Sequence, residues 1–360
     1  MTPKPSLRRE IHDRLFEGVV IPAHPLALTA GRTLDTDRQA ALTRYYLDSG
    51  AGGIAVGVHT TQFEIRDAGL YDEVLSIAAE TAASMTLDRA PIMVAGVVGS
   101  TDKALAEAER AASLGYDLAL VGLGGLGDWT DAQLVAHIEE VTKVMPVFGF
   151  YLQPSVGGRP LGYRFWRQVA ELEGVKAIKM APFNRYWTQD VVRAVIESSR
   201  RDEIALYTGN DDNIVPDLLS TWRFMVDGEP VEKRIVGGLL GHWAVWTQRA
   251  VQLLEECHRA IAANDGEAIQ RLLTLGVGVT DTNAAFFDPH HDFVGCIPGI
   301  HEVLRRQGLL EGRWCLNPDE ELSSGQMEEI DRVYAAYPEL NDDAFVREHL
   351  GQWLPSRVAR

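Results

Sequence analysis

The sequence predicts an α/β fold in which a (β/α)8 barrel, or TIM barrel, is followed by a C-terminal helical extension. Short apolar runs typical of buried strands recur at intervals of roughly 25 to 35 residues, as strand–helix units do. Amphipathic segments lie between these runs, and the strand pattern stops after Ala244. Eight such units in succession favour a closed parallel barrel over an open doubly wound sheet, which is the alternative.

The predicted strands are Gly18–Ala23, Gly52–Gly57, Pro91–Val98, Leu118–Gly122, Val147–Leu152, Val175–Ala181, Ile204–Gly209 and Ile235–Gly241. Helices predicted between them include Thr36–Ser49, Thr101–Leu114, Asp131–Val144 and Asp190–Ser199. The helices predicted after the barrel are Val245–Ala262, Gly266–Leu275, His301–Gly308, Ser323–Ala336 and Asp342–Leu350. We therefore divide the chain into a barrel, residues 15–244, and a C-terminal helical region, residues 245–360.

Composition limits the classes of function. The 360 residues fit a barrel of ~250 residues plus an appendage. Three cysteines, a small and odd number, indicate free thiols in a reducing compartment. The formal net charge of −17 argues against a surface for nucleic acid or anionic membrane. Neither a targeting segment nor a long apolar run is visible, so we expect a cytoplasmic protein without a membrane span.

Three strand ends are predicted to bind a substrate, because barrel active sites lie at the C-terminal ends of the strands. The second strand is followed by His59, Thr60 and Thr61, whose hydroxyl and backbone N–H groups can hold a carboxylate. A simple helix cap and turn is the alternative. Glycine-rich ends of the seventh and eighth strands let backbone approach a ligand, so Gly209 and Leu240 complete the predicted site.

Tyr151, on the fifth strand, is a candidate for proton transfer. It shares one face of the strand with Val147 and Gly149, whereas Phe148 and Phe150 lie on the other. Because the bulky face suits the helix layer, we expect Tyr151 to point into the barrel mouth, where a phenol can move protons. A hydrogen-bonded tyrosine in the core is the alternative.

Lys179, late on the sixth strand, is the candidate nucleophile. Strand alternation gives it the same face as Val175, Ala177 and Ala181, which are small or medium-sized. Burial beside such residues disfavours the ammonium, lowers the pKa and makes the amine reactive towards carbonyl carbons. A lysine in a structural ion pair, or one that reaches the solvent at the rim, is the alternative.

The order and spacing of four motifs resemble the dihydrodipicolinate synthase/N-acetylneuraminate lyase superfamily of class I, Schiff-base-forming barrels. The motifs are Gly18–Pro22, Tyr151–Pro154, Gly174–Lys179 and Gly209–Asp212, within a resemblance that covers residues 15 to 315. It implies that Lys179 forms an imine with a 2-oxo acid, typically pyruvate. It also implies that Tyr151 transfers the proton and that His59 and Thr60 lie where the family's Gly-Thr-Thr-Gly-Glu loop holds the carboxylate.

The sequence also departs from the synthases of this family. The carboxylate loop, Val58–Gln62, keeps only Thr60 of the expected residue types. Val156 stands where the synthases have an arginine that binds the second substrate, and the glycine-rich segment Gly122–Gly127 replaces their Pro-Tyr-Tyr stretch. The resemblance therefore implies a related activity with another acceptor and not lysine biosynthesis.

Two further patterns are not interpreted as ligand sites. Gly122–Gly127 also fits the dinucleotide pattern G-x-G-x-x-G, but the next helix begins only at Thr130, with Gln133 completing a capping box. Asp288–Asp292 contains adjacent histidines, which rarely converge on one metal ion. We expect neither a cofactor nor a metal.

The predicted function is that of a pyruvate-dependent class I aldolase or lyase that forms a Schiff base at Lys179. One alternative is a Schiff-base dehydratase of a deoxy-sugar acid, and another is a non-catalytic sensor that binds a 2-oxo acid. The expected partners are a 2-oxo acid and an aldehyde or sugar-acid substrate, with no nucleic acid and no membrane. We also expect a homo-oligomer, either a dimer or a tetramer.

Overall fold

The computed structural model describes residues 5–354 and has a barrel of eight parallel strands at its centre. The barrel strands are β1 (Val20–Pro22), β2 (Gly53–Val56), β3 (Ile92–Val97), β4 (Leu118–Val121), β5 (Val147–Leu152), β6 (Val175–Ala181), β7 (Ala205–Thr208) and β9 (Glu229–Leu240). A ninth strand, β8 (Thr221–Val226), pairs antiparallel with the first half of β9. The predicted barrel is confirmed.

The barrel is closed between its first two strands. The hydrogen-bonded order is β1-β9-β7-β6-β5-β4-β3-β2, and β2 then meets β1 through a parallel bridge between Ala55 and Ala23. Backbone hydrogen bonds from Gly52 to Val20, 2.9 Å, and from His24 to Ala55, 2.8 Å, hold this junction. Closure excludes the open sheet and brings the C-terminal ends of all eight strands to one mouth.

Helices surround the barrel and continue after it. Those before and between the barrel strands are α1 (Arg9–Glu17), α2 (Thr36–Asp48), α3 (Tyr71–Ser84), α4 (Thr101–Ser113), α5 (Asp131–Thr142), α6 (Tyr163–Val169), α7 (Arg185–Ile196) and α8 (Ile214–Leu219). Those after it are α9 (Thr247–Ala262), α10 (Gly266–Phe287), α11 (Cys296–Arg306), α12 (Gln326–Ala336) and α13 (Asp343–Trp353). None of these described helices is long and apolar enough to cross a membrane.

Three predicted helix boundaries were wrong by five residues or more. Helix α11 begins at Cys296 and not at His301. Helix α7 begins at Arg185 and not at Asp190, because the Asn184 side chain caps it by accepting hydrogen bonds from the next turn. Helix α10 does not stop at Leu275. It continues through Gly276 and Gly278 to Phe287.

The two glycines of α10 serve close packing. A Cβ at Gly276 would lie 2.8 Å from Val215, and one at Gly278 would lie 2.8 Å from the Tyr337 ring. The glycines therefore let the helix approach its neighbours and do not mark its end.

The segment before the last barrel strand was also predicted incorrectly. The strand begins at Glu229 and not at Ile235, and its first half forms a hairpin with β8. Asp227 and Gly228 connect the two strands, both with positive φ, 51° and 87°. An Asp-Gly pair between two strand patterns is a strong hairpin signal in a sequence.

The barrel interior combines large and small side chains. β6 and β7 contribute Ala177, Ala181 and Ala205, and the rings of Phe148 and Phe150 on β5 share the interior with them. The two faces of β5 are therefore the reverse of the prediction, which assigned the bulky face to the helix layer. The reason is volume, because small residues on neighbouring strands leave space that aromatic rings can fill.

The predicted faces of β6 are correct over its second half. Ala177 and Ala181 lie in the interior on either side of Lys179, whereas Ile178 and Met180 face the helices. Val175 differs from the prediction because the pairing with β5 shifts by one residue after it, which places Val175 on the helix side.

The C-terminal helices are bonded to the barrel layer through a buried carboxylate. Asp342, just before α13, accepts hydrogen bonds from Tyr45 of α2 at 2.8 Å, from the Gln248 N–H of α9 at 3.0 Å and from Gln307 at 2.8 Å. The division at residue 244 stays a prediction, as do the homo-oligomer and the cytoplasmic location. The last six residues of the predicted region 245–360 lie outside the described residues.

A second buried carboxylate, Asp217 of α8, orders the loop after β7. It is fully buried, and it accepts hydrogen bonds from Thr208 at 2.7 Å, Asn210 at 2.9 Å and Asn213 at 3.0 Å. Arg185 of α7 forms an ion pair with it. Because one side chain holds both ends of this loop, the loop has little freedom to move.

Replacing Asp217 with alanine should lower the free energy of unfolding by about 3 kcal/mol, because buried donors of Thr208 and Asn210 would lose their acceptor. Urea denaturation followed by fluorescence measures the effect. Glu232→Ala, which removes an exposed ion pair with Arg223, is the matched control and should change stability by less than about 1 kcal/mol. Equal effects in the two variants would contradict the role of Asp217.

Candidate active site

A cavity opens at the C-terminal ends of the barrel strands and encloses about 540 Å³, its mouth included. Its polar and glycine lining is His59, Thr60, Gln153, Lys179, Gly209, Asp211, Gly241 and Cys296. Its apolar lining is Ala23, Val58, Phe150, Leu152, Val156, Ala181, Phe183, Phe287 and Phe293. Apolar walls with a few polar groups are typical of sites for small organic ligands.

Lys179 projects from β6 into this cavity and is only 8% exposed. Its Nζ lies 4.5 Å from the centre of the Phe150 ring, and no hydrogen bond joins it to any residue between 5 and 354. Gly209 makes room for the chain, because a Cβ there would lie 2.6 Å from Lys179 Cε. Burial lowers the pKa of Lys179 to about 8, against the opposing effect of Asp211.

Asp211, in the loop after β7, is the acidic neighbour of Lys179. It is 5% exposed, and its Oδ1 accepts a hydrogen bond from the His242 N–H at 2.8 Å. Burial raises the pKa of Asp211 to about 7, although Lys179 and the His242 N–H act in the opposite direction. The sequence interpretation used Gly209–Asp212 only as a family motif and did not place Asp211 in the site.

The turn after β2 is held in place by the hydroxyl groups of two threonines. The Thr60 hydroxyl donates to Ala23 O at 2.8 Å, and the Thr61 hydroxyl donates to His24 O at 2.6 Å. These bonds fix the turn to the end of β1 and use the hydroxyl protons. The N–H groups of His59 and Thr60 have no acceptor within the described part of the chain, which leaves them able to bind an anion.

His59 is neutral at physiological pH. Burial lowers its pKa to about 4, and the positive charge of Lys179 acts in the same direction. It lines the cavity together with Thr60, as predicted, whereas Thr61 lies behind the turn. Leu240 does not line the cavity either, because its side chain belongs to the helix-facing core.

The predicted orientation of Tyr151 is wrong. Its ring lies in the helix layer, 5.4 Å from the Trp166 ring and stacked on Trp187 at 5.9 Å. The phenol oxygen accepts the Leu161 N–H at 2.9 Å, and burial raises the pKa of the phenol to about 12. Phe150 therefore occupies the position facing Lys179.

The C-terminal region completes the cavity with aromatic rings that the sequence interpretation missed. Phe287 ends α10, and Phe293 lies in the loop after it, in edge contact with Phe183 at 5.7 Å between ring centres. Phe183 and Phe293 both have positive φ, 50° and 66°. A side chain other than glycine rarely adopts this conformation, and such strain is typical of functional sites.

The glycine-rich segment and the histidine pair have structural contacts. Carbonyl groups of Leu126, Gly127 and Trp129 accept hydrogen bonds from Arg159, and the predicted capping box at Thr130 is confirmed. In the other segment His291 pairs with Asp288 at 2.6 Å. Within residues 5–354 no group of three or more His, Cys, Asp or Glu side chains is arranged to hold a metal ion.

Comparison with known proteins identifies relatives by sequence. No family model matches the chain. It is 26% identical over 204 residues to 4-hydroxy-tetrahydrodipicolinate synthase of Staphylococcus saprophyticus. The matched residues make up 56% of this chain and 65% of that protein. It is 26% identical over 185 residues to the synthase of an Exiguobacterium species, 51% of this chain and 60% of that protein. The chain thus spans less than two thirds of the length of these relatives.

Solved structures share the fold over a greater length. Dihydrodipicolinate synthase from Oceanobacillus iheyensis matches with a TM-score of 0.71 and 19% identity, over 92% of this chain and 99% of that one. N-acetylneuraminate lyase from Fusobacterium nucleatum matches with a TM-score of 0.68 and 16% identity, over 91% and 100% of the two chains. The same lyase complexed with pyruvate also matches, with a TM-score of 0.67 and 16% identity, over 90% and 98%.

The predicted resemblance is confirmed by this combination of sequence relatives and barrel architecture. The chain is thus similar in sequence to 4-hydroxy-tetrahydrodipicolinate synthases, and it shares its fold with dihydrodipicolinate synthases and N-acetylneuraminate lyases.

Proposed function

We propose that this protein is a lyase of the class I aldolase type, in which Lys179 forms a Schiff base with a 2-oxo acid. The observation that carries the proposal is the burial of Lys179 in the cavity at the C-terminal ends of the strands, with a lowered pKa. A neutral amine is the form that attacks a carbonyl carbon. Sequence similarity to 4-hydroxy-tetrahydrodipicolinate synthases supports the same chemistry, and a lyase of the same fold has been solved with pyruvate.

In the proposed reaction the Lys179 amine adds to C2 of the 2-oxo acid, and loss of water gives a protonated imine. A base then removes the proton of the C4 hydroxyl as the C3–C4 bond breaks. The electron pair of that bond moves towards the positive nitrogen, which releases an aldehyde and leaves an enamine. Protonation of the enamine at C3 and hydrolysis of the imine release pyruvate. Condensation follows the same steps in reverse.

The N–H groups of His59 and Thr60 are the proposed binding site for the carboxylate of the 2-oxo acid. They lack acceptors among the described residues, and the positive charge at Lys179 lies in the same cavity. The side-chain amide of Gln153, which also lines the cavity, offers a further donor. Gly209 acts by leaving space for the Lys179 chain and the imine that it forms.

The aldehyde partner is proposed to be apolar. Val156 and the aromatic side chains of Phe183, Phe287 and Phe293 line the cavity, and no arginine between residues 5 and 354 is among its lining residues. An acceptor with a carboxylate, such as aspartate semialdehyde, would lose hydration there without gaining a cation. For the same reason the deoxy-sugar-acid dehydratase is less well supported, because its substrate carries several hydroxyl groups.

The non-catalytic sensor remains a second candidate because of one observation. The phenol of Tyr151 lies in the helix layer, so the proton-transfer group that the family resemblance implied is absent from the cavity. A chain without any such group would bind a 2-oxo acid as an imine and not turn it over. Turnover of a 4-hydroxy-2-oxo acid by the purified chain distinguishes the two functions.

Incubation with pyruvate and borohydride should attach one reduced three-carbon acid to the peptide that contains Lys179, as shown by mass spectrometry. Lys179→Arg should abolish both labelling and turnover, because a guanidinium group stays protonated and cannot form an imine. Lys176→Arg is the matched control on the same strand and should retain both. Labelling at Lys176, or no labelling of the wild-type chain, would refute the proposal.

The reactivity of Lys179 towards acetic anhydride should rise as the pH increases through about 8, since its pKa is lowered to that value and only the neutral amine reacts. Below this pH the ammonium predominates and reactivity falls. Competitive labelling with peptide mass spectrometry measures the profile, with the exposed Lys103 as an internal reference. If the reactivity of Lys179 rose over the same pH range as that of Lys103, the lowered pKa of Lys179 would be contradicted.

Phe293→Ala should raise the KM for a 4-hydroxy-2-oxo acid with a phenyl group on C4 by roughly tenfold, the equivalent of about 1.4 kcal/mol of lost apolar contact. Release of pyruvate measures the effect. The neighbouring Val294→Ala is the matched control, because Val294 is 57% exposed and does not line the cavity. Efficient condensation of pyruvate with aspartate semialdehyde by the wild-type chain would count against an apolar partner.

A further inference from the structure

The proposed aldol chemistry requires a group that moves protons beside Lys179. A proton must reach the oxygen that leaves C2, another must be removed from the hydroxyl on C4, and a third must be delivered to C3. Tyr151 does not meet this need, because its phenol is hydrogen-bonded in the helix layer. The ionisable side chains that line the cavity beside Lys179 are those of His59, Asp211 and Cys296.

We propose that Asp211 is the catalytic acid and base of this site and carries protons to and from the substrate bound at Lys179. The inference rests on the function proposed above and extends it by a residue. Asp211 and Lys179 come from the ends of adjacent strands, β7 and β6, and both line the cavity. Two groups placed in this way can act on the same bound carbon chain.

The orientation of the Asp211 carboxylate is fixed by its surroundings. Its Oδ1 receives the His242 N–H at 2.8 Å, and its Oδ2 makes no hydrogen bond to any other side chain or backbone group in the described chain. Asp217 holds the loop that carries Asp211, because it accepts hydrogen bonds from Thr208 and Asn210. One oxygen is therefore anchored, and the other is available to a substrate.

The surroundings of the three ionisable side chains favour Asp211 over His59 and Cys296 as the group that carries protons. Burial brings the pKa of Asp211 near neutrality, so both its acidic and basic forms are accessible there. The imidazole of His59 is a weak base because its pKa is lowered to about 4. Burial and the nearby Asp211 raise the pKa of Cys296 well above its usual value, so the thiol stays protonated. Asp212 adds a repulsive charge beside Asp211.

The proton balance is complete with Asp211 alone. As the carboxylic acid it protonates the C2 hydroxyl of the adduct; the C2–O bond breaks, water leaves, and the carboxylate and protonated imine remain. The carboxylate takes the proton of the C4 hydroxyl while the C3–C4 bond breaks and its electron pair moves into the enamine. The acid re-formed in this step gives its proton to C3, which restores the imine and the carboxylate.

The test uses the full chain and pyruvate alone, because exchange of the pyruvate methyl protons with D2O requires both the imine and a proton carrier. Proton NMR follows the exchange, and borohydride labelling followed by mass spectrometry quantifies the imine. Asp211→Asn keeps an acceptor for the His242 N–H. It should still label at Lys179 but exchange about 10²- to 10⁴-fold more slowly, the usual effect of losing a positioned acid–base group. Asp227→Asn, in the turn between β8 and β9, should exchange at the wild-type rate.

The outcomes separate the two proposals. Absence of labelling in the wild-type chain overturns the Schiff base and with it the role of Asp211. Labelling without exchange in the wild-type chain, or exchange at the wild-type rate in Asp211→Asn, overturns Asp211 as the proton carrier and leaves the Schiff base intact. If Asp211→Asn does not fold, Asp211→Glu decides. Exchange within about tenfold of wild type supports a carboxylate carrier, and a greater loss with full labelling contradicts it.

Discussion

Burial of the Lys179 ammonium in a cavity where it makes no hydrogen bond to any described residue is the constraint behind the candidate site. A charge buried without a hydrogen bond raises the free energy of the folded protein, and this penalty disappears when the amine becomes neutral. The barrel makes room for the buried Lys179 side chain because Ala177 and Ala181 lie on either side of it and Gly209 has no side chain. Asp211 limits the effect, because a carboxylate nearby favours the ammonium. The amine is thereby brought towards neutrality without becoming an inert, permanently uncharged group.

Sequence patterns predicted the parts of this arrangement that depend on local periodicity. The barrel strands, the face of Lys179 and the turn at His59 and Thr60 follow from alternation and from strand ends, and they are found where they were expected. The orientation of Tyr151 did not follow. Alternation divides β5 into two faces but does not say which face lies inside, and that choice depends on the volumes of residues from β6 and β7. Small neighbours there favour Phe150 inside and Tyr151 outside.

The remaining differences also arise from tertiary contacts. Asp211 becomes a site residue through its position beside Lys179, and Phe293 through a loop that follows α10. Helix α10 itself was predicted too short. The predicted range ends just before its two glycines, which accommodate Val215 and Tyr337. The cavity is therefore formed by the barrel and the C-terminal helices together. A barrel considered alone would lack Phe287 and Phe293, two of the four phenylalanine rings that line its cavity.

The hairpin formed by β8 and the first half of β9 gives the molecule an attachment point away from its chemistry. β9 enters the barrel from this hairpin and reaches the cavity end only at Leu240, so the Asp227–Gly228 turn lies on the opposite side of the barrel. Exposed hairpin tips accept inserted segments with little loss of stability, because few contacts of the core depend on them. A peptide tag or a short linker placed in this turn would immobilise the protein on a surface with its cavity facing the solution. The fold thus provides a handle for biosensor or flow-reactor formats without changing a lining residue.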